Sequence, residues 1–553
     1  MTDAALPPEL SALIDAAEPT GDRSLADLAG RLQAEGRLIG LVVEGARTGA
    51  GAIGELAGVA VRGVEYDSRR VRRGVVFVAV PGAHADGHDH AAAAAARGAS
   101  AVVVERELEG LPIPQLVVDA SQRALAPCAC WWYGDPSLDL AVVGITGTDG
   151  KTSTSRLLVS ALEAAGLRAG LSSTAALRVG GVDVANPVHA TTPEAPEIQR
   201  LLRAMVRAGD RVAVLETTSH GLALERIGGV AYDAAILTNV THEHLEFHGT
   251  FEAYRAAKVH LFEALRTTDA NPGKGPAGVV GPGAWPKSAI VNADDASARV
   301  FIEAARVAGA RVVTYGEARD ADVRAVRIDA GARGVTLDVE APSGRLGLRL
   351  GLLGRFNAWN AMAVVALAEA VGLDLDAVVS GLASAPAVRG RMEAVDRGQP
   401  FTVVVDYAHS PASLRLVLDE MAPVAGATGG GLVAVFGSAG ERDVAKRPMM
   451  GRAAGERCRV VVLTDEDPRG EDRVAILDQI AAGAEDAGLR RGSSLHLVPD
   501  RREAIALAFR LARPGDVVVL AGKGHETGII GPHGTEPWDE RAVAEEELDR
   551  LRT

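Results

Sequence analysis

The stretch A-V-V-G-I-T-G-T-D-G-K-T-S-T-S, Ala141 to Ser155, decides how the rest of the chain is read. Its apolar half predicts a buried strand, its glycines a tight turn, and L-L-V-S-A-L-E-A-A from Leu157 the body of a helix. Strand, glycine turn and helix start make an anion cradle, because backbone N–H groups converge there and the helix adds its positive end. Lys151 can reach outer phosphates and Thr152 can hold a magnesium ion. Gly144 lies one residue too early for G-x-x-x-x-G-K-[ST], so the working loop is the variant Gly147, Thr148, Asp149, Gly150, Lys151, Thr152, Ser153. ATP binding follows from the pattern.

Downstream, the strand R-V-A-V-L-E ends at Glu216, and a carboxylate at the end of a parallel strand suits magnesium. The strand A-A-I-L-T-N ends at Asn239 and leads into V-T-H-E-H-L-E-F-H-G-T-F-E-A-Y-R-A-A-K. His242, His244, His248 and His260 invite a zinc reading, but no cysteine or tight Glu-x-x-His pattern accompanies them, so contact with Mg²⁺ or phosphate is expected. Lys258 follows Tyr254 by four residues, so both share a helix face, and its apolar neighbours predict burial and a neutral, reactive amine. Residues 270–287, rich in Gly and Pro, read as a surface loop, and 322–353 as an antiparallel hairpin. Asn357 and Asn360 fall on one face near a helix start, where they can cap it or bond a base.

Upstream, V-V-F-V-A-V, an alanine-rich helix and A-V-V-V predict a small α/β domain, with Trp131, Trp132 and Tyr133 closing its core. Before it, the first 55 residues offer two short amphipathic helices and no chemistry. At the other end, F-T-V-V-V-D-Y-A-H-S-P, L-V-A-V-F-G-S-A-G-E-R-D, V-V-V-L-T-D-E-D-P-R and D-V-V-V-L-A-G-K-G-H-E repeat one arrangement of buried strand, turn and charges. Such units specify a Rossmann-like, doubly wound parallel sheet. The expected fold is α/β in three domains: residues 1–139, small and N-terminal; 140–388, central and ATP-binding; and 389–553, C-terminal.

With 553 residues, 47% of them hydrophobic and only 4% aromatic, the chain suits layered α/β cores. Its net charge of −14 argues against nucleic acid and anionic membrane surfaces as partners. Three cysteines, two of them one residue apart, cannot form a disulfide framework. A signal peptide pattern and a run of about 18 apolar residues are both missing, so a cytoplasmic protein is expected.

Taken together, G-T-D-G-K-T-S, T-S-H-G-L, T-N-V-T-H-E-H-L-E-F-H-G-T, Y-R-A-A-K, G-R-F-N-A-W-N-A, G-R-M-E, D-Y-A-H-S-P, G-E-R-D-V-A-K-R, D-E-D-P-R and G-K-G-H-E resemble, in this order, the Mur ligases, the ATP-dependent amide-forming enzymes of peptidoglycan synthesis. The resemblance is greatest to the MurE branch, which adds the third peptide residue, and it runs from about Gly63 to Glu526. It implies that the first domain holds UDP-MurNAc-dipeptide, the second ATP and Mg²⁺, and the third a diamino acid, in a monomer. It assigns Lys151 and Thr152 to phosphates and Mg²⁺, Glu216 and His244 to the metal centre, and Lys258 to a carbamylated lysine that helps hold metal. Asn239, Asn357, Arg391, Asp406 and Tyr407 match nucleotide contacts. Ser68, Arg69, Thr191, Thr192, Ser219 and Arg226 match the UDP-substrate site, and Arg442, Asp467, Arg469, Gly522 and Glu526 the incoming amino acid. The implied reaction is ligation through an acyl phosphate, with closure of the third domain onto the ATP site.

Two positions depart from the family pattern. Asp149 stands where Asn is usual and is expected to point away or to touch metal. D-E-D-P-R replaces the D-D-N-P-R of diaminopimelate-adding members. Arg469 still suits the extra carboxylate of diaminopimelate, whereas Glu466 and Asp467 add charge that suits the ammonium of lysine or ornithine. Diaminopimelate is the preferred reading. Outside ligation, the alternatives are a P-loop ATPase or kinase, which leaves the third domain's motifs unexplained, and a non-catalytic nucleotide-binding relative.

Overall fold

The computed structural model describes residues 6–82, 85–186, 191–241, 243, 245–275, 278, 283–331 and 333–552. It divides into two compact units, one of Met1–Val323 with Ala363–Val378 and one of Arg324–Met362 with Val379–Thr553.

Besides a two-stranded ribbon of Arg23–Ser24 and Ala60–Val61, the first unit carries two large sheets. The N-terminal one runs in the order Ala46–Thr48, Leu38–Val43, Gln115–Val118, Ala101–Val104, Val75–Val78, Gly63–Glu65, with the last four strands parallel. Trp131, Trp132 and Tyr133 lie in its core, as the sequence predicts. Both early helices form. Leu25–Ala34 packs into this core, while Pro8–Asp15 buries Leu10 and Ile14 against the second sheet.

At the centre of that second sheet lies β1 (Ala141–Thr146), paired in parallel with β2 (Val212–Glu216) on one side and β3 (Ala234–Leu237) on the other. Every residue of the three strands is buried, as a sheet covered by helices on both faces requires. Helix α1 (Lys151–Ala164) leaves the end of β1, α2 (Ala195–Ala208) precedes β2, and α3 (Phe251–Glu263) follows β3. Because the strands are parallel, their carboxyl ends meet along one edge, and residues 147, 217 and 238 start there.

In the Gly- and Pro-rich stretch 270–287, read as a surface insertion or loop, the described residues form no helix or strand, while 276–277 and 279–282 lie outside the described residues. Lys274 and Lys287 are buried and both pair with the buried Asp233 at 3.1 Å. Lys274 Nζ also donates to the carbonyl of Ala231 at 2.5 Å and to that of Ser137, so two cations and one anion nail the stretch beneath β3. Composition alone shows loop character but not such an anchor.

The second unit contains the antiparallel meander Val323–Gly331, Gly334–Ala341, Gly344–Leu350, in agreement with the alternating pattern. Its main sheet has the order Glu393–Val395, β4 (Thr402–Asp406), β7 (Val517–Ala521), β5 (Leu432–Phe436), β6 (Val460–Leu463), Leu495–Leu497. All pairs are parallel except the first. Each fully buried Val or Leu in these strands contributes roughly 1.5–3 kcal/mol. Helices α4 (Arg501–Leu511) and α5 (Glu540–Arg552) cover one face, with Ile505, Phe509, Val543 and Leu548 in the core.

Candidate functional site

In the first unit the site is built on the turn between β1 and α1. Gly147 has φ 153°, and a Cβ there would fall 1.8 Å from Thr238 Oγ1; Gly150 has φ 81°. Neither place tolerates a side chain without strain or clash. The residues after β3 brace the turn: Thr148 N donates to the Asn239 carbonyl at 2.8 Å, Asp149 N to Asn239 Oδ1 at 3.0 Å, and Thr238 Oγ1 to the Asp149 carbonyl at 2.6 Å. Asn239 therefore shapes the loop with its own backbone and amide, while the Asp149 side chain is exposed. Thr148 Oγ1 lies 2.9 Å from the Tyr254 hydroxyl.

Two cations converge on one oxygen. Lys151 Nζ donates to the carbonyls of Gly147 at 2.9 Å and Thr148 at 2.6 Å, and Lys258 Nζ donates to the same Gly147 carbonyl at 2.7 Å. Lys258 is 1% exposed and its ammonium lies 4.5 Å from the Tyr254 ring centroid, so the shared helix face and the burial both hold. Burial first, and the Lys151 charge second, push its pKa well below the ordinary lysine range. Such a shift favours the neutral, nucleophilic form of the amine.

Around this turn, Glu216 is buried at the end of β2, with Oε2 accepting from Thr174 Oγ1 at 2.9 Å, and Thr174 Oγ1 lies 2.8 Å from Thr191 Oγ1. Thr192 Oγ1 donates to the Glu216 carbonyl at 3.0 Å, and Arg226 Nη1 to the Thr192 carbonyl at 3.2 Å. The buried Ser219 starts the short helix Ser219–Ala223 beside them. Thr191, Thr192, Ser219 and Arg226 are thus brought together next to the metal candidate. Ser68 and Arg69 follow the strand Gly63–Glu65; Arg69 is exposed and its pairing with Asp67 at 2.7 Å holds that carboxyl down at about 2. Neighbouring Tyr66 donates to Glu197 Oε1 at 3.1 Å, and this bond ties the segment to α2. Neither Tyr66, Glu197 nor Thr174 carries a motif that sequence reading could have used.

His244 and His242 lie outside the described residues. His260 is exposed and pairs with Glu263 at 2.8 Å, away from any zinc-like set. Among the described residues, no group of three or more His, Cys, Asp or Glu is placed to hold a metal. That donor set still fits Mg²⁺, which takes one or two carboxylates and fills its octahedron with water and phosphate oxygens. Glu216, the Thr152 hydroxyl and a carbamylated Lys258 would supply the protein's share.

In the second unit, Asp406 ends β4 with Oδ2 accepting from Met392 N and Oδ1 from Ala408 N, both at 2.8 Å, so it fixes the G-R-M-E turn. The Arg391 guanidinium lies 4.9 Å from the Tyr407 ring centroid, and the Tyr407 hydroxyl donates to Glu526 Oε1 at 3.4 Å. Asn357 Nδ2 donates to the Leu353 carbonyl at 2.7 Å and Oδ1 accepts from Asn360 Nδ2 at 2.9 Å, a cap-like use of both amides.

Past β6 and β7 the charges interlock. Lys523 Nζ, fully buried, donates to Asp467 Oδ1 at 2.8 Å and pairs with Glu526 Oε2 at 2.6 Å; Asp467 Oδ1 also accepts from Ile530 N at 2.9 Å. Glu466 is 7% exposed, and burial pushes its carboxyl up to about 7. A Cβ on Gly522, whose φ is 104°, would lie 3.4 Å from Glu466 Oε2. Arg469 Nε is buried without a hydrogen-bond partner among the described residues, and Arg442 is exposed. Met392, Glu441 and Arg469 adopt φ values of 46°, 53° and 55° in the order Met392, Arg469, Glu441, so three non-glycine residues at the rim hold a left-handed backbone. Glu466 and Lys523 stand inside quoted motifs, but which charge neutralises which was not legible there.

Three family descriptions match the chain: "Mur ligase family, catalytic domain" over residues 60–126, "Mur ligase middle domain" over 145–368 and "Mur ligase, glutamate ligase domain" over 390–524. A UDP-N-acetylmuramyl-tripeptide synthetase of Roseiflexus sp. (strain RS-1) is 47% identical over 495 residues, which cover 89% of this chain and 95% of that protein. A UDP-N-acetylmuramoyl-L-alanyl-D-glutamate--2,6-diaminopimelate ligase of Bacillus velezensis is 40% identical over 484 residues, 88% and 93% of the two chains. A solved structure of a UDP-N-acetylmuramoyl-L-alanyl-D-glutamate--2,6-diaminopimelate ligase superposes with a TM-score of 0.64 at 30% identity, covering 90% of this chain and 96% of that one. No helix among the described residues is long and apolar enough to cross a membrane.

Proposed function

The chain belongs to the Mur ligase family of ATP-dependent, ADP-forming ligases, and from that premise we propose that it joins meso-diaminopimelate to UDP-N-acetylmuramoyl-L-alanyl-D-glutamate in peptidoglycan synthesis. On this reading residues 1–139 take the UDP-sugar, 140–388 ATP and 389–553 the diamino acid. The observation that carries it is the pair of lysines on the Gly147 carbonyl, one of them buried with its pKa driven well below the ordinary lysine range.

A carboxylate and an ammonium do not condense unaided at neutral pH. An oxygen of the dipeptide's terminal carboxylate attacks the γ-phosphorus, the bond to the β-bridging oxygen breaks, and ADP leaves. The amine then attacks the acyl carbon, the tetrahedral intermediate collapses, and inorganic phosphate departs while the amine's surplus proton passes to solvent or a nearby base. Lys151 swings from the two loop carbonyls onto the phosphoryl oxygens and neutralises charge that grows in both steps. Bound Mg²⁺ supplies further charge neutralisation at the phosphates. Lys258, as a neutral amine, attacks CO₂, forming an N–C bond and releasing a proton, and the resulting carbamate offers oxygens where an ammonium offers none. Thr191, Thr192, Ser219 and Arg226 orient the dipeptide end, and Asn357, Arg391, Asp406 and Tyr407 the nucleotide.

Diaminopimelate is favoured over lysine or ornithine by charge balance. Lys523 is shared between Asp467 and Glu526, Glu466 is half protonated near pH 7, and Arg469 Nε, without a hydrogen-bond partner among the described residues, still asks for a carboxylate. The test is phosphate release with ATP, Mg²⁺, the UDP-dipeptide and each diamino acid in turn. Release only when all substrates are present, fastest with meso-diaminopimelate, is expected. Release without an amino acid would make the chain an ATPase, and faster release with lysine or ornithine would overturn the choice of substrate.

A further inference from the structure

We propose that the buried pair Arg501–Glu540 is a positioning device for the incoming amino acid, its guanidinium holding the loops after β6 and β7 at a fixed separation. The inference rests on the reading that Asp467, Arg469, Gly522 and Glu526 take that amino acid.

Both side chains are fully buried. Arg501, the first residue of α4, spends every donor group. Nη1 donates to the Asp465 carbonyl at 2.9 Å, and Nη2 to the Ala521 carbonyl at 2.8 Å and to Glu540 Oε1 at 2.6 Å. Nε faces Glu540 Oε2 at 2.9 Å. The two carbonyls belong to the residues just before Glu466 and Gly522. Their strands, β6 and β7, are not neighbours: β5 lies between them. No ladder hydrogen bond therefore joins the two strands directly, and past their ends the ladders to β5 no longer set the distance between the two loops.

A planar fork with rigidly spaced donors can span that gap, whereas a lysine ammonium, with three donors on one atom, cannot reach both carbonyls and the carboxylate in the same plane. Glu540, at the start of α5, is in turn held by Trp538 Nε1 at 2.6 Å. The C-terminal helix thereby reaches the substrate loops through one guanidinium. Burying two charges is costly, and an apolar pair of similar volume would recover that cost while leaving the two carbonyls and Trp538 Nε1 without this partner. The pair's geometry serves the loops rather than the core.

The full-length double variant Arg501→Met/Glu540→Leu, which removes the clamp without orphaning a charge, tests this by steady-state kinetics. A KM for the amino acid raised roughly tenfold or more is expected, as displacement of a bound group by about 1 Å is severe. KM for ATP and for the UDP-dipeptide, together with kcat at saturating amino acid, should stay within about twofold in the folded variant. Arg501→Lys, which keeps the ion pair but not the fork, should show the same selective rise.

An amino-acid KM within twofold of wild type in either folded variant overturns the proposal, and so does a parallel rise in all three KM values. If both variants fail to fold, amide exchange in the wild type decides: protection at Glu466 matching that of β6 supports the clamp, and exchange at open-loop rates refutes it. A wild-type chain that needs no amino acid to release phosphate would refute the ligase reading instead, a result visible before any variant is made.

Discussion

The loop after β1 and the loops after β6 and β7 face mirror-image electrostatic problems. At the first, two lysines crowd one carbonyl oxygen; at the second, Asp467 and Glu526 crowd one lysine, with Glu466 close by. Each relieves the strain in the same way, by shifting one member toward its uncharged form. Burial drives the Lys258 pKa well below the ordinary lysine range and pushes the Glu466 carboxyl up to about 7. The difference lies in what the neutral member is for. A buried neutral amine is a nucleophile open to CO₂, whereas a buried carboxylic acid is a hydrogen-bond donor with no comparable chemistry.

The largest effect is expected on the cation side. Lys151→Met should lower kcat by about 10³-fold, at the upper end of what one preorganised charge contributes, with the melting temperature unchanged. A variant that retains a tenth of the rate would show that Lys151 only props the loop through the Gly147 and Thr148 carbonyls.

Next comes Lys258→Ala, expected to cost about 10²-fold in kcat. The sharper arm uses the wild type: rigorous removal of CO₂ should depress its rate, and bicarbonate should restore it. Acidification should act in the same direction, since a recharged amine cannot attack CO₂. The variant should be indifferent to CO₂. Wild-type activity independent of CO₂ would remove the chemical role from the neutral lysine and leave the two regions with no functional contrast.

How far the sequence told this story differs between the two places. The phosphate loop is written in consecutive residues, and its glycines, lysine and hydroxyls are legible because a turn between a strand and a helix is a local structure. Lys258 was readable through its helix face, four residues from Tyr254. The amino-acid end is assembled from the ends of different strands, and only spatial proximity reveals that Lys523 answers Asp467 or that Arg501 bridges two loops. In the histidine-rich stretch residue type was visible and direction was not: His260 is exposed and pairs with Glu263, while His242 and His244 lie outside the described residues. The anchoring of 270–287 by Lys274 and Lys287 was missed because burial of a lysine depends on an aspartate some 40 to 55 residues away, at position 233.

A smaller effect should separate the two acidic departures. Asp467→Asn frees Lys523 from one of its two carboxylates and raises the local positive potential. The ratio of kcat/KM for diaminopimelate over lysine should rise about fivefold, close to 1 kcal/mol. A fall in that ratio would mean that Asp467, despite Lys523, presents charge to a substrate ammonium.

The least effect, and the one that isolates Glu466, is on stability rather than turnover. Its carboxyl titrates at about 7 in the folded chain against 4.5 as the ordinary value. Between those values the folded chain binds a proton that the unfolded chain has released, so stability falls as pH rises through that window and levels off above about 7. Glu466→Gln stays neutral throughout and should flatten this part of the slope, with a melting temperature at pH 8 at or above that of the wild type and little difference at pH 4.5. Equal slopes in the two proteins would mean that Glu466 remains ionised in the fold. The acidic cluster would then be relieved by Lys523 alone, and its likeness to the lysine pair at Gly147 would end.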